Sequence, residues 1–160
     1  MFHHTVSNNC ERFTLTGDIV LAANPRDADS QFQLGMQYYN GKNVQKDYAS
    51  AANWLRLAAE QGHAQAQCVL GEMYYSGQGV QQDHIEAVRL FRLAGAQGLA
   101  EAHYRLGLAY YHGLGVQQDD DQMRRWILLA AEQGDKSALY FMEYCRGRIF
   151  SDEDIDFFAR

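Results

Sequence analysis

Apolar and small residues recur along this chain at helical spacing and predict pairs of short helices. Between positions 64 and 76 such residues fall on one side of a helix, at Ala64, Ala66, Leu70 and Tyr74. After a short polar segment a second stripe follows at the same spacing, comprising Ala87, Leu90, Phe91, Leu93 and Ala94. We expect two antiparallel helices that bury these stripes against each other.

The same pattern of apolar, glycine and polar positions occurs three times at a fixed spacing of 36 residues. Its first halves read LGMQYYNGKNVQKD from Leu34, LGEMYYSGQGVQQD from Leu70 and LGLAYYHGLGVQQD from Leu106. A period of this length is typical of a solenoid, in which each helix pair buries its apolar face against the next pair. The sequence therefore predicts an all-α solenoid of antiparallel helix pairs in one structural domain.

Two columns of the repeat are predicted to serve packing. Gly35, Gly71 and Gly107 each lie inside the first helix of a pair, where glycine costs about 0.5–1 kcal/mol relative to alanine. Since the chain accepts this cost three times, we expect the partner helix to approach closely there. The residues three positions later are predicted to pack into the core. They are Tyr38, Tyr74 and Tyr110.

Residues with defined roles at helix ends mark where each helix begins and ends. Gly77 follows the first helix of the second repeat and suits the left-handed conformation of a C-terminal cap. Asp83 is predicted to cap the second helix by accepting hydrogen bonds from free backbone amides. Glu86, three residues later, is in position to complete a capping box with Asp83.

The register of the repeat divides the chain into full repeats and two incomplete ends. We place the full repeats at residues 25–62, 63–98 and 99–134. Residues 1–24 are expected to hold a capping half-repeat helix, from about Thr14 to Ala23. Residues 135–160 are expected to form degenerate capping helices, and Ser151 with Asp154 to cap the last of them.

Composition and charge narrow the possible functions. The chain has 160 residues, of which 47% are hydrophobic, and a formal net charge of −6. This apolar content supports a folded core, and the negative charge disfavours binding to the phosphates of nucleic acid. No apolar run is long enough to span a membrane, and the N-terminus lacks the pattern of a secretory signal.

Cysteine usage is consistent with a reducing compartment. Cys10, Cys68 and Cys145 are odd in number and show no pairing pattern. We therefore expect a cytoplasmic protein and leave export by another route open. Neither a membrane nor nucleic acid is expected as its partner.

The two halves of the repeat together form a long motif. The first half reads L-G-x-x-Y-x-x-G-x-G-V-x-x-D, best in residues 70–83, and the second reads A-x-x-W-x-x-x-A-A-x-x-G, best in residues 51–62. This motif resembles the Sel1-like repeat family. Leu90 and Met123 depart from it, as does Asn43, which replaces the second loop glycine and leaves the shape of the first loop open.

The resemblance implies a fold and a role. It implies a right-handed superhelix, related to tetratricopeptide repeats, whose first helices line a concave face. It also implies that the protein acts as an adaptor or scaffold and binds a protein or peptide. Terminal units of such an array differ from internal ones because one of their faces meets water.

The analogy with tetratricopeptide repeats also predicts which residues face a partner. The residues expected on the concave face are Phe32, Met36, Tyr39, Cys68, Glu72, Tyr75, Glu101, Tyr104, Leu108, Tyr111 and His112, with Tyr140 and Tyr144 continuing the row. A row of aromatic and polar residues suits an extended peptide or one face of a helix. The column of Tyr39, Tyr75 and Tyr111 has an alternative role in bracing neighbouring repeats.

Sequence signals for catalysis, metals or cofactors are weak. The histidines never fall at the i, i+4 spacing of a helical metal pair, and we expect His103 and His112 at the surface or in the groove. Cys68 is expected to be a small groove or core residue and not a nucleophile. No nucleotide-binding or hydrolase motif is present, so neither a cofactor nor a metal is predicted.

These observations favour a protein that binds another protein or a peptide through its concave face, without catalysis. One alternative is an inhibitor or immunity protein, because a short acidic chain suits masking a basic toxin or hydrolase. Another is a hydrolase acting on cell-wall-like substrates, which would need paired carboxylates or an activated nucleophile that the sequence does not place. The partner's identity and the oligomeric state are left open.

Overall fold

The computed structural model describes residues 26–158, which form helices joined by short turns. Three pairs of 13-residue helices come first: α1 (Ala28–Asn40) with α2 (Tyr48–Glu60), α3 (Ala64–Ser76) with α4 (His84–Ala96), and α5 (Ala100–His112) with α6 (Asp120–Glu132). Two shorter helices follow, α7 (Lys136–Tyr144) and α8 (Asp152–Phe158). The helix expected from Thr14 to Ala23 lies outside the described residues.

Each helix packs mainly against the helices before and after it in the chain. Contacts are most extensive within the pairs α1–α2, α3–α4 and α5–α6, and smaller contacts join α2 to α3, α4 to α5 and α6 to α7. The buried apolar residues form three clusters, each contributed by neighbouring helices. This nearest-neighbour packing confirms the predicted all-α solenoid.

The mid-helix glycines lie directly against the partner helix of their pair. A Cβ atom on Gly71 would lie 2.7 Å from Cε1 of Phe91 on α4, well inside van der Waals contact. The equivalent distances are 2.8 Å between Gly35 and Cγ of Leu55, and 2.6 Å between Gly107 and Cδ1 of Ile127. A large, fully buried side chain therefore occupies the space beside each glycine, which confirms the predicted close approach.

Asp83 caps α4 as predicted, but the predicted capping box with Glu86 is wrong. Asp83 accepts hydrogen bonds from the amides of Ile85 and Glu86, both at 3.0 Å. The Glu86 carboxylate instead accepts from Arg89, at 2.6 and 2.7 Å. The Asp83 amide, which a capping box would satisfy, already donates to the carbonyl oxygen of Tyr74 at 3.0 Å.

The turn after each first helix uses two residues in the left-handed region. Gly77 and Gly79 both have φ of +71°. A Cβ atom on Gly79 would overlap the carbonyl group of Tyr48, so this loop needs glycine where it packs on the preceding repeat. Asn43 stands in the place of Gly79, is exposed, and has φ of +63°. The first loop therefore keeps the backbone shape of the others.

The last two helices close the described part of the stack. Ala138 and Met142 of α7 are buried against α6 and its neighbours, in register with the earlier first helices. The amide of Asp154 donates to Oγ of Ser151 at 3.2 Å, and the amide of Ser151 donates to Oδ2 of Asp154 at 2.8 Å. This reciprocal cap confirms the predicted start of α8. Arg124 of α6 donates to both oxygens of Asp154, at 2.7 and 2.8 Å, and so holds α8 in place.

The expectation that Leu93 is buried is wrong. Leu93 is 41% exposed, because it lies at the edge of the apolar stripe beside an open cleft between α2 and α4. The buried stripe of α4 comprises the other predicted residues, Ala87, Leu90, Phe91 and Ala94, all at most 2% exposed.

In the second and third repeats, a buried polar side chain contacts a backbone carbonyl oxygen of the preceding repeat. The expectation that His103 lies at the surface or in the groove is wrong. His103 is 4% exposed, with Nε2 3.0 Å from the carbonyl oxygen of Gly95 and Nδ1 3.1 Å from Oε1 of Gln133. Gln67 holds the same place one repeat earlier, where its amide donates to the carbonyl oxygen of Ala59 at 3.1 Å. The burial of His103 is tolerated because a polar atom lies within hydrogen-bond distance of each ring nitrogen.

Gly71→Ala is expected to destabilise the fold by about 1–3 kcal/mol through overpacking. The new Cβ atom would meet the Phe91 ring and lie 3.3 Å from the carbonyl oxygen of Ala87. This loss exceeds the gain in helix propensity, which is up to about 1 kcal/mol. Urea unfolding measures the free energy, and adding Phe91→Leu should cost less than the sum of the single changes. A stabilised Gly71→Ala variant would contradict the close approach.

Gly95→Ala is expected to destabilise the protein because its Cβ atom would lie 2.9 Å from Cδ2 of His103. Adding His103→Gln should restore most of the lost stability, since the pair of Ala59 and Gln67 already fills the equivalent place. Thermal unfolding of the single and double variants measures the coupling. If the double variant is as unstable as Gly95→Ala alone, the ring of His103 is not what requires glycine at this position.

Candidate functional site

A pocket of about 220 Å³ opens between three consecutive first helices, and we call it the three-helix pocket. Its principal walls are Tyr39 from α1, Glu72 and Tyr75 from α3, Phe91 from α4, and Arg105 and Leu108 from α5. Because successive first helices are one repeat apart, side chains from three repeats meet in one place. No single repeat could form this pocket.

Four residues predicted for partner binding meet in the three-helix pocket, whereas Gln78, Phe91 and Arg105 line it without having been predicted there. The predicted ones are Tyr39, Glu72, Tyr75 and Leu108. Arg105 was missed, although the sequence carried a signal for it. Arg105 is the only lysine or arginine in α1, α3 and α5, and it follows Glu101 at the i, i+4 spacing of a helical ion pair.

The charged wall of the pocket is one guanidinium shared by two carboxylates. Nη2 of Arg105 pairs with Oε1 of Glu72 across the helices and lies 3.7 Å from Oε1 of Glu101 on its own helix. Burial raises the pKa of Glu72, because the loss of water disfavours the charged form more than Arg105 favours it. The negative charge of Glu101 raises this pKa further. Glu72 is therefore a half-buried carboxylate whose negative charge Arg105 compensates only in part.

Tyr39 and Tyr75 form the aromatic side of the pocket. The ring of Tyr39 meets Tyr48 edge-on at 5.3 Å between centroids, and its hydroxyl donates to Oε1 of Gln78 in a long hydrogen bond of 3.5 Å. The ring of Tyr75 meets His84 edge-on at 5.0 Å. Burial raises the pKa of both tyrosines, so their hydroxyls remain protonated donors at neutral pH. Tyr39 thus lines the pocket and also braces the loop of the next repeat.

The first end of the predicted row lies beside the three-helix pocket on α1. Phe32 stacks on His63 at 4.5 Å between ring centroids, and Met36 is half-buried against the first core cluster. Asp29 lies 3.3 Å from Nε2 of His63, so α1 and α3 are also joined by a polar contact at this end. Phe32 and Met36 extend the apolar surface of the row.

At the other end of the row, Phe141 of α7 joins the predicted residues. Tyr104 and Tyr111 meet the ring of Phe141 on α7 edge-on, at 6.5 and 5.3 Å between centroids. Tyr140 and Tyr144, which were expected to continue the row, are each 77% exposed. Phe141 extends the row as well, because its ring contacts two tyrosines of α5.

Polar groups surround Tyr111 at this end. Its hydroxyl accepts a hydrogen bond from Nη2 of Arg148 at 3.0 Å. His112 is exposed and meets the Tyr111 ring edge-on at 4.9 Å. His112 therefore lies at the surface beside the row.

Cys68 does not face a partner, although it was placed among the concave residues. It is 1% exposed and packs in the cluster that joins α3, α4 and α5. Burial raises the pKa of its thiol, so the thiolate is not formed at neutral pH. Of the two positions considered for Cys68, groove or core, the structure places it in the core.

The tyrosine column that was predicted for packing lies half-buried against the core clusters. The hydroxyls of Tyr74 and Tyr110 accept hydrogen bonds from Arg56 and Arg92, at 3.4 and 3.0 Å. Tyr38 packs against the first cluster. These rings serve packing, and their hydroxyls reach the surface near the second helices.

Two kinds of site are absent from the described residues. Within residues 26–158 no group of three or more His, Cys, Asp and Glu side chains is placed to hold a metal ion. In the same range no helix is long and apolar enough to cross a membrane. The row instead offers aromatic rings, hydroxyl donors and one shared ion pair.

The raised pKa of Glu72 can be tested by carbon-detected NMR titration of its carboxylate. Glu72 should titrate above its ordinary value of 4.5, and the folded protein should then lose stability as the pH rises through this interval. Arg105→Gln should raise the pKa of Glu72 further, and Glu101→Gln should lower it, since each removes one neighbouring charge. A Glu72 pKa below the ordinary value would contradict incomplete compensation.

Comparisons with known proteins agree with this architecture. The Sel1 repeat family model matches residues 28–63, 64–99 and 100–135. The chain is similar to the crystal structure of c5321, a protective antigen present in uropathogenic Escherichia coli strains displaying an SLR fold. Their TM-score is 0.71 with 41% identity, covering 74% of this chain and 25% of that one.

A second similar structure is a Sel1 repeat protein from Oxalobacter formigenes. Its TM-score is 0.69 with 33% identity, covering 75% of this chain and 48% of that one. The chain thus spans about a quarter and about half of the length of these two proteins. Comparison with curated proteins gives no match. On the strength of three consecutive family matches, the chain belongs to the Sel1 repeat family.

Proposed function

We propose that this protein is a non-catalytic scaffold that binds a peptide or protein segment along the row of side chains from α1, α3 and α5. Sel1 repeat proteins generally act as scaffolds for protein–protein interaction. The observation that carries the proposal for this chain is the three-helix pocket, since three repeats build it jointly. Tyrosine and arginine, which line it, are enriched in protein interfaces and in their energetic centres.

The size of the pocket favours a side chain of a longer partner over a free small molecule. Its volume of about 220 Å³ lies below the roughly 300–1,000 Å³ of small-molecule sites. The row continues on both sides of it, to Phe32 at one end and to Tyr111 at the other. An extended segment could use the pocket as its central anchor and the flanking rings as further contacts.

The carboxylates near the pocket do not support a hydrolytic role. Hydrolysis by two carboxyl groups requires both to face the same substrate. Glu72 lines the pocket, whereas Glu101 contacts Arg105 outside it and does not line it. The raised pKa of Glu72 is explained by burial and by the charge of Glu101, and does not require a role as a general acid.

Partner capture with purified variants tests the proposed function. Immobilised protein is incubated with lysate, and bound proteins are compared by mass spectrometry among the wild type, Tyr75→Ala, Leu108→Ala and Tyr111→Ala. The three substitutions should each reduce specific capture several-fold, because they remove contact area at and beside the pocket.

Leu57→Ala provides the matched control for Leu108→Ala. Leu57 is an exposed leucine on α2, 43% accessible, and does not line the pocket. Its substitution should leave capture unchanged, and circular dichroism should show equal helix content in all variants. Undiminished capture by all three row variants would show that partners bind elsewhere.

A further inference from the structure

We propose that the three-helix pocket binds one basic side chain, a lysine or an arginine, of the partner segment. This inference rests on the proposed function and specifies the chemistry of the same site. Three features carry it: the balance of charge around the pocket, the geometry of the ion pair, and the aromatic and apolar walls.

Negative charge exceeds positive charge around the pocket. Glu72 and Glu101 both approach the guanidinium of Arg105, and α1, α3 and α5 contain no other lysine or arginine. Lys46, on the loop before α2, lies 4.6 Å from the ring centroid of Tyr48 and does not line the pocket. One negative charge is thus unbalanced here, in a chain whose net charge is −6. A cationic group of the partner is electrostatically complementary to it.

The ion pair leaves hydrogen-bonding capacity unused. The nearest nitrogen of Arg105 to Glu72 and to Glu101 is in both cases Nη2, so one nitrogen is shared by two carboxylates. Among the described residues, Nε of Arg105 is buried without a hydrogen-bond partner, and the one contact of Oε1 of Glu72 is with Nη2 of Arg105. The guanidinium can turn towards Glu101 when an incoming cation pairs with Glu72. With the ligand bound, each of the two carboxylates then has its own cation, where Arg105 alone serves both.

The other walls suit the body of a long cationic side chain. Tyr39 and Tyr75 supply aromatic rings, which attract a cation over their faces within about 6 Å. Phe91 and Leu108 supply apolar surface against which the methylene groups of lysine or arginine can pack. The pocket therefore offers a carboxylate for the charged end and apolar surface for the stem.

An acidic side chain would fit the same pocket poorly. Its carboxylate would compete with Glu72 and Glu101 for the single guanidinium and would add a third negative charge. Burial and Glu101 already disfavour the charged form of Glu72. Another anion beside it would increase that repulsion.

Peptide selection identifies the side chain that enters the pocket. A random peptide library displayed on phage is selected on the immobilised protein, after depletion on the Tyr75→Ala variant. The selected peptides should share one lysine or arginine among apolar neighbours. In a synthetic peptide, replacing that residue by glutamine should weaken binding about tenfold or more, as measured by fluorescence anisotropy.

Two substitutions in the pocket should change the affinity of the selected peptide in opposite directions. Glu72→Gln should weaken binding about tenfold or more, because it removes the anion that the ligand meets. Arg105→Gln should strengthen binding about twofold to fivefold, because it removes the competing internal cation. Glu86→Gln is the matched control, since it breaks an ion pair with Arg89 on α4 and should leave affinity unchanged.

The outcomes separate this inference from the proposed function. Selected peptides that share an acidic residue or no charged residue would overturn the inference, and so would weaker binding to Arg105→Gln. The proposed function would stand in those cases, provided that Leu108→Ala still weakens binding. If no selected peptide is weakened by Leu108→Ala, both the inference and the proposed function fail. Circular dichroism of each variant confirms that the fold is retained.

Discussion

The contact of two helices at a mid-helix glycine is the constraint on which the rest of this structure depends. Phe91 occupies the space where a Cβ atom on Gly71 would stand, and the pairs before and after repeat this contact. A shift of either helix along its partner would drive that ring into the backbone. The register within each pair is thereby set, and helices of equal length stack at equal intervals along the chain.

This regular stacking converts residues far apart in the chain into neighbours. Tyr39 and Tyr75 hold the same place in successive repeats, as do Glu72 and Leu108, and all four line one pocket. The tyrosine column is the same in each repeat and supplies aromatic walls. The other column differs from repeat to repeat and supplies the charge of Glu72 beside the apolar Leu108. A constant scaffold can in this way carry a surface whose chemistry changes along its length. Arg105 adds an ion pair with Glu72 at one place on that surface.

Much of the fold was predictable because it depends on local chemistry and periodicity. The first helix of the second repeat was predicted between Ala64 and Ser76 and lies there. The predictions that failed concern residues with a competing partner in space. The capping box at Glu86 is absent because the carbonyl oxygen of Tyr74 already takes the amide involved. His103 is buried because Gly95 makes room for its ring.

The sequence by itself determined the period, the helix pairs, the positions of the mid-helix glycines and the repeat positions that are predicted to face a partner. These features follow from spacing along the chain alone. Glycines mark close helix contacts and helix ends, aspartates cap helices, and apolar residues form buried stripes, at the same positions in every repeat. Only the tertiary structure decided that Arg105 pairs with Glu72 on another helix, and that Cys68 points into the core while Phe141 extends the aromatic row. Those outcomes depend on the direction of side chains between packed helices, which periodicity leaves undetermined.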